Sequence, residues 1–104
     1  MKPLGCHNYF VYIITNYDKT VLYTGVTNDL ERRLFEHKLD SDTKKLTFAG
    51  KYNCFFLLFF ELHSNIEHAI EREKEIKGWS RKKKENLINC FNPKWEFLND
   101  KIAE

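Results

Sequence analysis

The stretch FVYIITNYDKTVLYTGVTNDLERRLFEH, from Phe10 to His37, decides the fold. Two runs of β-branched and aromatic residues, 10–15 and 21–24, flank the polar NYDK, a pattern that predicts an antiparallel hairpin. The expected register pairs Tyr12 with Tyr23, which stands both phenols on one face of the sheet as direct cross-strand neighbours. A slip of one residue would separate them. After Gly25, Asn28 can cap a helix while Glu31 closes a capping box, so a first helix is expected over about Asp29 to Leu39.

Further along, YNCFFLLFFE (52–61) supplies a third strand, apolar on both faces and therefore expected to be covered on both. Ser64 with Glu67 repeats the capping-box pattern and opens a second helix to about Lys77, stopped by Gly78. Ser80 caps a third helix that ends before Pro93, and Trp95, Phe97 and Leu98 in the tail KWEFLND are expected to pack back on the body. The order β-β-α-β-α-α implies an α+β fold of the sandwich type, a small three-stranded antiparallel sheet flanked by helices.

Bulk properties agree with one compact domain over residues 1–104, since no repeat or linker interrupts the chain. The longest apolar run, Cys54 to Phe60, is too short to cross a bilayer, so no membrane association is expected. The amino terminus MKPLGCHNYF lacks the apolar core of a secretory signal. Cys6, Cys54 and Cys90 form no C-x-x-C pair, which speaks against a disulfide framework or a zinc cage and suits a cytoplasmic location. Net charge is only +2, but Arg32, Arg33, Lys44, Lys45, Lys51 and the run Arg81, Lys82, Lys83, Lys84 concentrate positive charge where an anionic partner could bind.

A helical wheel separates residues that composition cannot. Leu30, Leu34 and His37 share one stripe of the first helix, Arg33 lies at its border, and Arg32 points away to pair with Glu36. In the second helix Ile66, Ala69, Ile70 and Ile76 define the apolar stripe, and Glu73 falls near its middle while Glu67, Glu71 and Glu75 face outward. A carboxylate on the core side needs a partner, either Lys77 one turn later or a metal ion. Each feature alone has a structural explanation: tyrosines as amphipathic core residues, His37 as a core histidine, the RKKK run as a solvated helix start. Their convergence favours a site.

These residues resemble the GIY-YIG nuclease superfamily. FVY (10–12) stands for its first tripeptide and YTG (23–25) for its second, followed by NDLERRLFEH, AIEREKEIKGWSRKKKENLI and NPKWEFL. The resemblance covers most of the chain and is closest to the small YhbQ-like (UPF0213) branch. Phe10 stands where the motif name has Gly, and Thr24 where it has Ile. The resemblance implies a structure-selective endonuclease that hydrolyses DNA around one weakly held Mg²⁺ or Mn²⁺. Glu73 would hold the metal, Arg33 would contact the scissile phosphate, and Tyr12 and Tyr23 would line the catalytic face. Tyr12 is the favoured base, with Tyr23 as the alternative. His37 would position water or shuttle a proton, and Asn92 is the preferred match to a late Asn, with Asn86 and Asn89 as alternatives. Lys44, Lys45, Lys51 and Arg81 to Lys84 are the nucleic-acid-binding candidates. DNA is the expected partner, with RNA and a targeting protein as further ones. A non-catalytic nucleic-acid-binding or protein-interaction module on the same fold is the alternative.

Overall fold

The computed structural model describes residues 8–43 and 48–102. Its elements are β1 (Tyr9–Thr15), β2 (Leu22–Thr27), α1 (Leu30–Asp42), α2 (Phe48–Tyr52), β3 (Phe56–His63), α3 (Ile66–Lys77), α4 (Arg81–Phe91) and α5 (Asn99–Ile102). The strands form an antiparallel sheet in the order β2-β1-β3, so the α+β architecture matches expectation, with the short α2 and α5 added. As the central strand, β1 is covered on both faces and Val11 to Thr15 are all buried.

The alternation of β1 divides the core in two. On one face Tyr12, Ile14 and Leu57 pack with Leu30 and Leu34 of α1 and with Leu98; on the other Val11, Ile13, Leu58 and Phe59 pack with Ala69 and Ile76 of α3 and Ile88 of α4. Leu58 and Phe59 reach the same core because the pairing steps from Ile13↔Phe59 to Ile14↔Leu57, leaving Leu58 as the extra residue of a bulge. The tail protects the outer edge of β3: Leu98 N–H donates to the Leu57 carbonyl (2.8 Å), and the Asn99 side chain bridges Leu57 N–H and the Phe55 carbonyl at 2.8 Å each. Trp95 and Phe97 join the second core, as the tail's pattern predicts.

Several local expectations are corrected. Tyr12 pairs with Gly25 rather than Tyr23, whose partner is Ile14. Asn16 causes this shift of two: its Oδ1 accepts from Thr20 N–H (2.9 Å) and Val21 N–H (3.1 Å), holding both residues in the turn rather than the ladder. Because the shift is even, the two phenols keep a common face. Asp29, not Asn28, caps α1 by accepting from Arg32 N–H (3.1 Å), and Asn65, not Ser64, caps α3 through Glu67 and His68 N–H. The third strand starts at Phe56, after α2, and the helix α1 runs on to Asp42. The apolar stripe of α3 is narrower than its sequence suggests: Ala69 and Ile76 are buried while Ile66 and Ile70 are exposed. Lys44, Lys45 and Cys6 lie outside the described residues; Cys54 and Cys90 are free thiols. Among the described residues no helix is long and apolar enough to cross a membrane.

Candidate active site

Tyr12 is almost fully buried, in the middle of the central strand. Its phenol lies across the backbone of Gly25, its register partner on β2. A Cβ added at Gly25 would fall within 3.0 Å of the Tyr12 ring and nearer still to its hydroxyl, so the glycine of YTG is required for this close approach. Wheel position brings His37 of α1 over the same spot, where Tyr12 Oη and His37 Nε2 are 2.8 Å apart. The Tyr23 ring also meets His37, with centroids 5.5 Å apart and an edge-on angle of 68°.

Arg33 completes the group from the border of the helix stripe. Its side chain is 33% exposed against 60% for Arg32, as the wheel predicts, and it hydrogen-bonds Glu36 while its charge acts on the Tyr12 phenol. Glu36 prefers Arg33, with Nη1 to Oε1 at 3.1 Å, over the expected Arg32 partner at 3.9 Å. Arg33 thereby acquires an anchor that holds the guanidinium at the phenol.

Electrostatics set the charge states of these groups. Burial lowers the His37 pKa from 6.5 to about 4, with the Arg33 charge acting in the same direction, so the imidazole is neutral near pH 7. Burial also raises the Tyr12 phenol well above its ordinary value; Arg33 opposes that rise, whereas Tyr23 and Glu73 add to it. Both groups are therefore neutral in the free protein. Tyr12 Oη and His37 Nε2 share the 2.8 Å hydrogen bond, which the phenol donates when the imidazole carries its proton on Nδ1. His37 Nδ1 is a buried atom with no hydrogen-bond partner.

On α3, Glu73 is the inward carboxylate that the wheel singled out, with a side chain 14% exposed against 55% for Glu75. Lys77 Nζ pairs with its Oε2 at 2.9 Å and lies 5.7 Å from the centre of the Tyr23 ring. Glu73 and Lys77 thus stand beside the tyrosine face. No cluster of three His, Cys, Asp or Glu that could cage a metal occurs among the described residues. A single carboxylate fits a weakly held Mg²⁺ or Mn²⁺ whose remaining ligands are water and substrate phosphate, and does not fit a structural zinc.

Other candidates have different surroundings. Asn92 ends α4 with its amide fully used: Nδ2 donates to the Leu58 carbonyl (3.1 Å) and the Glu96 carbonyl (2.8 Å), and Oδ1 accepts from Glu96 N–H (3.1 Å). It secures the bulge and the tail rather than reaching Tyr12. Asn89 accepts from the Trp95 indole, and Asn86 is exposed. Arg81 clamps the hairpin turn, donating to the carbonyls of Thr20 (2.6 Å) and Lys19 (2.9 Å) while pairing with Glu85. Lys83 lies over the Trp79 ring and Lys51 over Tyr52, whereas Lys82 is exposed. Sequence reasoning missed the room that Gly25 makes for Tyr12 and the anchoring of Arg33 by Glu36. The spacing Arg33–Glu36 carried the second signal, since residues three apart are neighbours on a helix.

The model of the GIY-YIG catalytic domain matches residues 8–86, which include Tyr12, Tyr23, Arg33, His37 and Glu73. The chain belongs to the GIY-YIG family. Within it, the chain is 37% identical over 79 residues to a UPF0213 protein of Haloquadratum walsbyi, covering 76% of this chain and 84% of the relative. A UPF0213 protein of Clostridium perfringens is 36% identical over 93 residues, covering 89% and 96%. The solution NMR structure of a UPF0213 protein from Bacillus halodurans has the same fold, with a TM-score of 0.55 and 29% identity across 93% of this chain and 99% of that one. This GIY-YIG chain is thus a UPF0213 member of a nuclease family.

Proposed function

We propose that this GIY-YIG protein is a divalent-metal-dependent endonuclease that hydrolyses phosphodiester bonds in DNA and selects its substrate by shape. The observation that carries the reading is the buried Tyr12 hydroxyl 2.8 Å from His37 Nε2, with the imidazole held neutral and the Arg33 charge acting on both. That arrangement accepts a proton at one end and passes one on at the other.

Tyr12 takes a proton from the attacking water as its own passes to His37 Nε2, so the water oxygen bonds to phosphorus without a free phenolate accumulating. A bound phosphodiester brings negative charge beside Arg33, which offsets the guanidinium's depression of His37 and makes the imidazole a better base when substrate is present. Arg33 also donates to the phosphoryl oxygens as charge grows on them. Glu73 is the carboxylate available to a divalent ion, which when bound supplies positive charge for the leaving oxygen. Tyr23 packs edge-on against the imidazole and limits its motion.

A cleavage assay on branched, flapped and single-stranded DNA, titrated with Mg²⁺ or Mn²⁺, tests the reading. Metal-dependent cleavage of one structured substrate is expected, abolished by Glu73→Gln and nearly unaffected by Glu71→Gln, since Glu71 is exposed. DNA binding without cleavage under every metal condition would favour a non-catalytic module. Equal losses in both variants would remove Glu73 from the site.

A further inference from the structure

The Glu73 carboxylate is largely out of water, and such a charge requires a counter-charge at all times. Lys77 supplies it: one turn further along α3, its ammonium sits 2.9 Å from Oε2, and the Tyr23 ring is 5.7 Å from the same nitrogen. The lysine side chain is itself 47% exposed on a flexible stem, so it can leave the carboxylate without unfolding anything. Cation and ring still attract when the ammonium moves away from Glu73, giving it a second resting place beside the tyrosine face.

We propose that Lys77 is a resident counter-ion of the metal site: it neutralises Glu73 in the free protein, yields the carboxylate to the divalent ion, and keeps its charge at the Tyr23 ring beside the incoming phosphate. Lys77 is therefore a positioning residue that sets how much divalent ion the protein requires. This inference rests on Glu73 being the metal carboxylate. Exchange of one cation for another keeps the buried carboxylate compensated throughout, while weakening the apparent metal affinity by the strength of the pair.

Direct titration of the full chain with Mn²⁺, in the absence of DNA and with free Mn²⁺ read by its electron paramagnetic resonance signal, tests the exchange. Lys77→Met is expected to bind Mn²⁺ roughly 2- to 5-fold tighter than the parent, the range that loss of one competing, partly exposed pair allows. Lys74→Met removes the same charge from an exposed position on the same helix and should change affinity less than about twofold. Lys77→Gln repeats the first test should the Met variant melt early. Unchanged or weaker binding in the Lys77 variants, or equal tightening in Lys74→Met, overturns the exchange. Glu73→Gln separates the two readings: if it binds Mn²⁺ as the parent does, the metal assignment itself fails, whereas loss of binding there with no gain at Lys77 overturns only the role of Lys77.

Discussion

On one face of the sheet β1 presents Val11 and Ile13 to Ala69, Ile76 and Ile88, all apolar and all fully buried; on the other it presents Tyr12 to His37 and Arg33. Adjacent residues of one strand therefore serve different ends. The first face gains stability from close packing alone. The second gives part of that stability up, since it buries a phenol and an imidazole whose Nδ1 has no partner, and gathers there the groups of the proposed proton path. The comparison teaches that the period of two in a strand is enough to keep folding and chemistry on separate side chains, so substitutions should affect one with little effect on the other.

The largest separation is expected at Arg33. Arg33→Ala should lower the cleavage rate at saturating substrate by on the order of 10² or more with little change in melting, whereas the exposed Arg32→Ala should leave the rate nearly unchanged. Reversed phenotypes in single-turnover kinetics would place the wrong side of α1 on the site. Ile88→Ala tests the opposite face: it should cost roughly 3 kcal/mol of unfolding free energy, while cleavage per folded molecule stays near that of the parent. A comparable fall in the intrinsic rate would mean that the two faces are not independent.

A third effect is smaller and depends on pH. His37 titrates at about 4 when folded against 6.5 ordinarily, so the unfolded chain binds the extra proton between those values. The contribution of its neutral form to stability is complete above pH 6.5 and is lost as pH falls towards 4, by up to about 3 kcal/mol. Urea unfolding of the parent and His37→Phe at pH 7 and 4.5 should therefore show a pH-dependent difference that favours the variant as acid is added. An unchanged difference would mean that His37 is not held neutral by burial. The smallest effect is expected at Arg81, where Arg81→Met should cost about 1 kcal/mol by releasing the hairpin carbonyls and leave the salt dependence of DNA affinity unaltered. A salt slope flattened by about one would show that Arg81 contacts phosphate instead.

Much of this division was legible because parity survives local error. The hairpin register is two residues from expectation, yet Tyr12 and Tyr23 still share a face, since only an odd slip exchanges faces. What displaced the register was a side chain: Asn16 satisfies backbone groups of Thr20 and Val21, an effect absent from any hydrophobic pattern. Arg33, His37 and Glu73 were legible because a helical wheel reports direction, and direction decides burial. Arg81 was not: a run of four basic residues reads as one surface, while its first member is bonded to carbonyls 61 and 62 residues away. Asn92 shows the same limit, its amide held by the Leu58 bulge and by Glu96, contacts that exist only after β3 and the tail have met.

The role of the Tyr12 hydroxyl is open to a single test, because Tyr12→Phe keeps the buried ring and removes only the oxygen between Arg33 and His37. The measurement is the single-turnover cleavage rate of this variant at saturating DNA and Mn²⁺, corrected for the folded fraction. A fall of about 10² or more is predicted, from loss of a positioned proton-transfer group. A rate within about threefold of the parent would contradict the proton path and leave the polar face of the sheet without its proposed chemistry.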